Sequence, residues 1–257
     1  MSFDRVCGLT IETVWYPTLD PNAATLVFLH EGLGSVALWR DFPKTLSHTV
    51  ECNAFVYSRV GNGRSSARTA PFTPDYMHRE ALDFLPELLD QRHIDNPILI
   101  GHSDGASIAL IHAAAGRRVR GVIVEAPHVF VEDVTIASIK KVKDAFETTE
   151  LKEKLGRYHE DPEMTFYGWN NIWLHPPFRY WDIANHLPRI HCPVLAIQGA
   201  DDEYGTLSQI EAIERGTGGT FEKLILDACG HSPHRDQFEC VLAAMAGFIR
   251  DITEASH

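Results

Sequence analysis

The pentapeptide Gly101-His102-Ser103-Asp104-Gly105 is the segment of this chain best suited to chemistry. It lies between residues 97–100, which are typical of a short buried strand, and residues 106–114, which are typical of a helix. A serine at the centre of such a connection sits on a sharp turn that exposes its hydroxyl above the sheet edge. Flanking glycines keep a Cβ from crowding the strand and the helix. The pattern predicts a nucleophile at Ser103; the alternative is an ordinary strand-to-helix connection.

A serine nucleophile needs a general base, because its hydroxyl is otherwise protonated at neutral pH. The chain offers fourteen histidines. His102 adjoins the serine, but its place in the turn directs it away from the hydroxyl, and His30 belongs to a separate motif. His231 and His234 both follow the last predicted strand. His231 is the favoured base, whereas His234 is expected to begin the terminal helix as an ordinary polar residue.

The imidazole in turn needs a carboxylate that fixes its tautomer and stabilises the imidazolium. Three adjacent acids at 201–203 follow the predicted strand 194–197, at the sheet edge where open α/β sheets bind ligands. Asp202 is the expected partner, Asp201 is the second candidate, and Glu125 at the end of another strand is the third. The alternative is a solvated acidic turn with no role in chemistry.

Acyl transfer also needs N–H donors where negative charge develops on the carbonyl oxygen. We expect one from the backbone of Asp104, at the start of a helix whose dipole adds to the effect. The other is expected from Gly32, in the loop after the predicted strand 25–29, since a glycine lets the backbone approach a substrate closely. A plain turn before a helix is the alternative, and it leaves His30 unexplained.

The elements that must position these residues alternate between apolar runs and amphipathic stretches, which is typical of a parallel sheet covered by helices. The pattern predicts an α/β fold with a mostly parallel, eight-stranded sheet. Strands are predicted at 5–9, 11–16, 25–29, 54–58, 98–101, 121–124, 194–197 and 221–226, and helices near 36–48, 75–91, 104–115, 205–215 and 234–252.

Residues 129–188 break this alternation, with several helical patterns and three of the five tryptophans but no convincing strand. An insertion of this length predicts a helical cap after the sixth strand, within a core domain of residues 1–128 and 189–257. Most of its aromatic side chains are expected to attach the cap to the core. Trp169 and Trp173 are the candidates for lining a substrate pocket.

Composition limits the classes of function. A net charge of −12 argues against a nucleic-acid partner, because neutralising phosphates needs clustered Lys and Arg. The five cysteines are widely spaced and lack a C-x-x-C pair, so no disulfide framework or zinc site is predicted. No secretory signal and no membrane-length apolar run is visible. We therefore expect a cytoplasmic protein of 257 residues with a small-molecule substrate, no membrane partner and no metal or cofactor; a homodimer stays open.

Five motifs in order resemble the α/β-hydrolase superfamily. They are His-x-Gly-x-Gly-Ser at 30–35, Arg-Val-Gly-Asn-Gly-Arg-Ser-Ser at 59–66, the pentapeptide at 101–105, the acid at 202 and Gly-His at 230–231. The superfamily's chain order of Ser, acid and His implies a triad of Ser103, Asp202 and His231. Two departures are Glu31, where many relatives have glycine after the histidine, and Ala106, which replaces a frequent second glycine.

Within the superfamily, the Ser-Asp-Gly elbow and the Trp-bearing cap are most similar to valacyclovir-hydrolase-like serine esterases. That resemblance implies hydrolysis of a carboxylic ester or related acyl bond through an acyl-enzyme. It also implies that the Asp104 carboxylate binds an amino group of the substrate, the amine-anchor hypothesis. Glu31 is a further candidate for a substrate contact. The alternative for Asp104 is a first-turn acid with a buried partner. A C–C bond hydrolase of ring-cleavage products and a ligand-sensing receptor remain alternatives for the whole chain.

Overall fold

A twisted sheet of eight strands forms the centre of the protein, as predicted. The computed structural model describes residues 2–20 and 22–254. The strands are β1 (Ser2–Val6), β2 (Leu9–Tyr16), β3 (Thr25–Leu29), β4 (Asn53–Tyr57), β5 (Ile98–His102), β6 (Gly121–Glu125), β7 (Val194–Gly199) and β8 (Phe221–Leu226). Their order is β1-β2-β4-β3-β5-β6-β7-β8. Strand β2 is antiparallel to both neighbours, and β3 to β8 are parallel to one another.

Helices cover both faces of the sheet. They are α1 (Phe42–Val50), α2 (Tyr76–Arg79), α3 (Leu85–Gln91), α4 (Asp104–Ala114), α5 (Asp133–Thr148), α6 (Leu151–Leu155), α7 (Pro162–Trp173), α8 (Ser208–Gly216), α9 (Pro233–Asp236) and α10 (Phe238–Glu254). Along β5, Ile98 and Ile100 pack into the cluster under α1 and α10, whereas Leu99 packs into the cluster under α4. A strand buried on both faces explains the continuous apolar run. None of the helices described is both long and apolar enough to cross a bilayer.

Three element boundaries differ from those predicted. The first strand ends at Val6 rather than at residue 9, because Cys7 and Gly8 have φ values of 50° and 80° and form a tight turn into β2. The helix predicted at 36–48 is a 3₁₀ turn followed by α1, and the break falls at Arg40 with φ 53°. A π-helical turn at Glu80–Phe84 separates α2 from α3.

The segment between β6 and β7 contains α5, α6, α7 and two 3₁₀ turns at Pro176–Tyr180 and Ala184–Arg189. Its two ends meet, because the Ile183 N–H donates a hydrogen bond to the Val129 carbonyl at 2.8 Å. Phe146 and Phe166 stack with ring centroids 3.8 Å apart and join α5 to α7. The assignment of residues 129–188 as a separate cap stays a prediction.

The turn between β5 and α4 leaves no room for side chains on its glycines. A Cβ on Gly105 would lie 2.0 Å from the carbonyl oxygen of Leu29 in β3. A Cβ on Gly101 would lie 2.3 Å from the Gly105 carbonyl oxygen. Both contacts are with backbone, so relieving them requires that α4 move away from the sheet.

We therefore expect Gly105→Ala to lower the free energy of unfolding by about 3 kcal/mol or more, in the range of severe overpacking. Gly247→Ala is the matched control, because its Cβ meets nothing within 4 Å and it lies inside α10. Alanine there favours the helix by about 1 kcal/mol. Chemical denaturation of both variants measures the difference; equal stabilities would contradict this account of the turn.

Candidate active site

Ser103 occupies the strained position of the turn between β5 and α4. Its φ is 54° and its ψ is −115°, a conformation that a residue with a Cβ rarely adopts and that costs about 1–3 kcal/mol. The Ser103 N–H donates to the Glu125 carbonyl at 2.9 Å, which ties the turn to β6. The residue is 6% exposed. The strain is held by the surrounding packing, as the sequence pattern at 101–105 predicts.

Ser103, His231 and Asp202 form a hydrogen-bonded chain. The Ser103 Oγ lies 3.0 Å from His231 Nε2, and His231 Nδ1 lies 2.8 Å and 2.9 Å from the two oxygens of Asp202. With Nδ1–H donating to the carboxylate, Nε2 is free to accept the serine proton. Burial would raise the pKa of Asp202, but hydrogen bonds from His231 and the Tyr204 N–H hold it below its ordinary value. The arrangement is that of a nucleophile, a base and an orienting acid.

The alternative acids and the alternative base lie elsewhere. Asp201 is exposed. Glu125 accepts hydrogen bonds from the backbone N–H of His234 at 3.0 Å and from its Nδ1 at 2.8 Å. Both members of this pair are buried, so His234 is not the ordinary polar residue expected at a helix start. The structure therefore brings Asp202 and His231 to Ser103 and leaves these alternatives in other contacts.

His102 holds the loop that carries His231. Its Nε2–H donates to the His231 carbonyl at 2.6 Å, and its Nδ1 lies 3.5 Å from the Glu31 carboxylate. Burial opposes a charge on His102, yet Glu31 beside it raises its pKa. Burial likewise opposes ionisation of Glu31, but His102 and Arg235 lower its pKa well below the ordinary value. His102 thus makes no hydrogen bond to Ser103 and instead supports the loop of His231, whose role as the base stays a prediction.

A neutral histidine shapes the loop after β3. The Arg59 N–H donates to His30 Nε2 at 2.9 Å, so Nδ1 carries the proton and donates to the Glu31 carbonyl at 2.6 Å. Burial lowers the pKa of His30 to about 3, and the positive charge of Arg59 adds to the effect. Asn62 also donates to the Gly32 carbonyl at 3.2 Å. These bonds explain why the sequence places a histidine two residues before Gly32.

Gly32 and Asp104 lie where the predicted oxyanion donors belong. As the first residue of α4, Asp104 has an N–H with no partner inside the helix. A Cβ on Gly32 would lie 2.1 Å from the indole of Trp169, so only glycine allows the ring to cover this loop. The role of the two N–H groups stays a prediction.

The Asp104 side chain points into a buried polar network rather than into open space. Its two oxygens accept hydrogen bonds from the Tyr76 hydroxyl at 2.7 Å and from Trp173 Nε1 at 3.2 Å. Arg59 Nη1 lies 3.6 Å away, and Arg59 Nη2 donates to the Glu31 carbonyl at 2.8 Å. Burial raises the pKa of Asp104, and Arg59 and the two donors oppose that rise. The residue is 1% exposed and its carboxylate is already bonded, as in the alternative of a first-turn acid with a buried partner; the amine anchor stays a prediction.

A cavity of about 240 Å³ opens on Ser103 and His231. Its walls include the predicted contacts Glu31, Trp169 and Trp173. The other lining residues are Gly32, Leu33, His102, His128, Thr135, Ile139, Glu203, Tyr204 and Ser232. Neither Lys nor Arg lines the cavity within the described ranges. The lining therefore combines aromatic and aliphatic walls with polar groups, and its acidic residues, Glu31 and Glu203, have no lysine or arginine beside them among the described lining residues.

Three residues of the site are absent from the sequence-based prediction. His128 follows β6 and lines the cavity, Tyr204 packs its ring 4.6 Å from that of His231, and Arg59 links the β3 loop to Asp104. His128 and Tyr204 follow the ends of β6 and β7, so the rule that ligands bind at the carboxyl edge of the sheet was the available signal. For Arg59, the sequence offered only its place in the motif at 59–66.

Comparisons with known proteins agree with this fold. The model of the Alpha/beta hydrolase family matches residues 26–243. No curated protein matches the chain significantly. The enol-lactonase from Burkholderia xenovorans LB400 is 18% identical, with a TM-score of 0.76 over 97% of this chain and 100% of that one.

Two further solved structures share the fold over nearly the whole chain. Proline iminopeptidase from Mycobacterium smegmatis is 14% identical, with a TM-score of 0.78 over 100% of both chains. A structure from a study of carboxylesterases of the thaumarchaeon Nitrososphaera gargenis is 16% identical, with a TM-score of 0.77 over 99% of this chain and 100% of that one. Because the family model covers most of the sequence, the chain belongs to the alpha/beta hydrolase family.

Proposed function

We propose that the protein hydrolyses a carboxylic ester or lactone of a small uncharged molecule through an acyl-enzyme on Ser103. The observation that carries the proposal is the continuous hydrogen-bonded chain from Ser103 to His231 and Asp202, open to a cavity at the serine. A strained serine beside a correctly oriented imidazole is the arrangement that activates a hydroxyl for attack on a carbonyl.

In the first half of the reaction, the Ser103 oxygen attacks the ester carbon while His231 Nε2 takes its proton across 3.0 Å. Asp202 stabilises the imidazolium that forms. The carbonyl oxygen becomes negative and is stabilised by the N–H groups of Gly32 and Asp104. The leaving oxygen then takes the proton from His231. Water repeats these steps on the acyl-enzyme, releases the acid and restores the serine.

The charge of the cavity argues against the C–C bond hydrolase alternative. Products of aromatic ring cleavage carry carboxylate groups, and burying an anion requires a cationic or strongly donating partner. The cavity offers the carboxylates of Glu31 and Glu203, with no lysine or arginine among its described lining residues. An uncharged ester fits these walls better than an anion does.

The finer resemblance to valacyclovir-hydrolase-like esterases implies a preference for amine-bearing acyl groups. The engaged carboxylate of Asp104 gives that preference no support, so we do not include it in the proposal. The names of the structural neighbours include an enol-lactonase and carboxylesterases, which is consistent with acyl-oxygen cleavage. A ligand-sensing receptor predicts instead that biological activity survives loss of the serine hydroxyl.

Ser103→Ala is expected to abolish turnover of p-nitrophenyl acyl esters and simple lactones, because it removes the hydroxyl that lies 3.0 Å from His231 Nε2. Wild-type protein should also be labelled at Ser103 by a fluorophosphonate probe, detected by mass spectrometry. If wild type turns over no ester or lactone, the proposed function fails. A Ser103→Ala protein that keeps full biological activity would favour the receptor instead.

Asp202→Asn should lower kcat by about 10⁴-fold, because an amide favours the wrong tautomer of the base. Asp201→Asn is the matched control: the residue is adjacent and of the same type but exposed, so its kcat should remain within about twofold of wild type. Steady-state kinetics on one ester compares the two variants. Equal effects would show that the acid has been misassigned.

Trp173→Phe tests whether the Asp104 network positions the oxyanion donors. Phenylalanine keeps an aromatic wall but removes the Nε1–H that donates to Asp104 at 3.2 Å. Losing one hydrogen bond to a buried carboxylate costs about 1.5–3 kcal/mol, so we expect kcat to fall by tenfold or more. Trp181→Phe is the control, because its Nε1 makes no hydrogen bond. A rise in KM alone would contradict a role in positioning.

A further inference from the structure

His128 is the residue of the cavity that the mechanism leaves unused. It lies three positions beyond the end of β6 and is 2% exposed. Its ring centroid is 5.0 Å from that of Trp173 and 5.7 Å from that of His231. Its backbone carbonyl accepts a hydrogen bond from Ser107 Oγ at 2.6 Å, which fixes the residue to α4. The ring therefore forms a rigid part of the cavity wall beside the catalytic base.

The protein leaves the polar atoms of this ring without partners. Nδ1 is enclosed and has no hydrogen-bond partner among the described residues. Nε2 also makes no hydrogen bond to a side chain or backbone group of the described residues. It is the ring nitrogen that can reach the cavity. Buried polar groups are normally hydrogen-bonded, so an unpaired ring in a cavity calls for an explanation. A substrate group that occupies the cavity supplies one.

The ring acts as a neutral group. Burial and the neighbouring His231 lower the pKa of His128 to about 3, against the smaller opposing effect of Asp202. A neutral imidazole has one N–H donor and one acceptor. Because no protein group fixes the Nδ1 side, Nε2 can donate to a carbonyl or accept from a hydroxyl, according to the tautomer. A neutral ring supplies a hydrogen bond but no positive charge to offset a buried anion, so an uncharged oxygen suits it better.

The position of His128 beside His231 indicates that it contacts the alcohol portion of the substrate. His231 passes its proton to the leaving oxygen, so the leaving alcohol lies next to the His231 ring. His128 is beside that ring, whereas Gly32 and Asp104 are on the side of the carbonyl oxygen. Trp173 is in edge contact with the His128 ring. A hydroxyl or keto group on the alcohol portion can thus pair with His128.

We propose that His128 is a specificity-determining residue that hydrogen-bonds a neutral oxygen substituent on the leaving alcohol of the substrate. This inference rests on the proposed esterase function and narrows its substrates to esters or lactones with a second oxygen on the alcohol side. The hydrogen bond from Ser107 holds the backbone of His128, and Trp173 packs against its ring.

Matched esters test this contact. Propyl butanoate and 2-hydroxyethyl butanoate differ only by a terminal methyl or hydroxyl of similar size. Wild type should favour the hydroxylated ester in kcat/KM by about tenfold, the effect of one well-placed hydrogen bond. His128→Phe, which keeps a ring but no nitrogen, should lose that preference. His128→Gln, whose amide nitrogen lies near the position of Nε2, should retain part of it. His48→Phe, a change on the exposed face of α1, should retain all of it.

A second pair locates the contact. Ethyl 3-hydroxybutanoate and ethyl 3-methylbutanoate place the same change on the acyl side, where His128→Phe should leave the ratio of the two unaltered. Three results in His128→Phe would overturn the inference. The preference for 2-hydroxyethyl butanoate could remain unchanged, or kcat/KM could fall equally for propyl butanoate and 2-hydroxyethyl butanoate. The third is a change in preference confined to the acyl-side pair.

Binding separates this inference from the proposed function. In a Ser103→Ala background, the dissociation constants of propyl butanoate and 2-hydroxyethyl butanoate can be measured by ligand-observed NMR, with and without His128→Phe. The contact is supported if the hydroxylated ester binds more tightly than propyl butanoate and if His128→Phe abolishes that difference. This holds even if wild type hydrolyses neither ester. Equal binding of both esters refutes it, whatever the turnover. Thermal melting confirms that each variant is folded; replacing an unpaired buried ring by phenylalanine should not lower Tm.

Discussion

The close approach of α4 to the sheet is the constraint on which the rest of the site depends. Gly105 lies against the Leu29 carbonyl, and Gly101 lies against Gly105, so the chain between them has to turn within three residues. That turn forces Ser103 to a φ of 54°. It also aims the free N–H at the start of α4 toward the loop that follows β3. One steric contact therefore sets both the backbone of Ser103 and the position of the N–H that we propose as an oxyanion donor.

The two side chains that flank Ser103 extend this control to the loops around it. His102 donates to the backbone of His231 and so fixes the base. Asp104 pairs with Arg59, which holds the carbonyl of Glu31 in the loop after β3. Both variable positions of the G-x-S-x-G pattern thus carry side chains that hold the loops around Ser103 in place. The acidic Glu31, a departure from most relatives in sequence, interacts with His102 and becomes part of the same support.

The sequence could predict those parts of the fold and the site whose conformation is determined by residues close to them in the chain. Alternating apolar runs predict the strands, and the glycines around Ser103 predict the turn, because each pattern acts within a few residues. Sequence ranks Asp202 before Asp201 but leaves both open, since both follow the same strand, whereas in the structure Asp202 is the one that contacts His231. His128 and Arg59 act through contacts between distant segments. No local pattern encodes such contacts. The first strand was misplaced because Cys7, unlike Gly8, gives no sign of a left-handed turn.

Trp173 both encloses the cavity and holds the side chain of Asp104, the residue after Ser103. Its ring forms a wall of the cavity and packs against His128, while its Nε1–H donates to Asp104 beneath the nucleophile. Any movement of α7 away from the core breaks that hydrogen bond and leaves one oxygen of a buried carboxylate without its donor. Asp104 also pairs with Arg59, which donates to the Glu31 carbonyl in the loop after β3. Losing the Trp173 hydrogen bond therefore disturbs that loop as well. The enclosure of the cavity and the order of the proposed oxyanion donors therefore depend on the same packing.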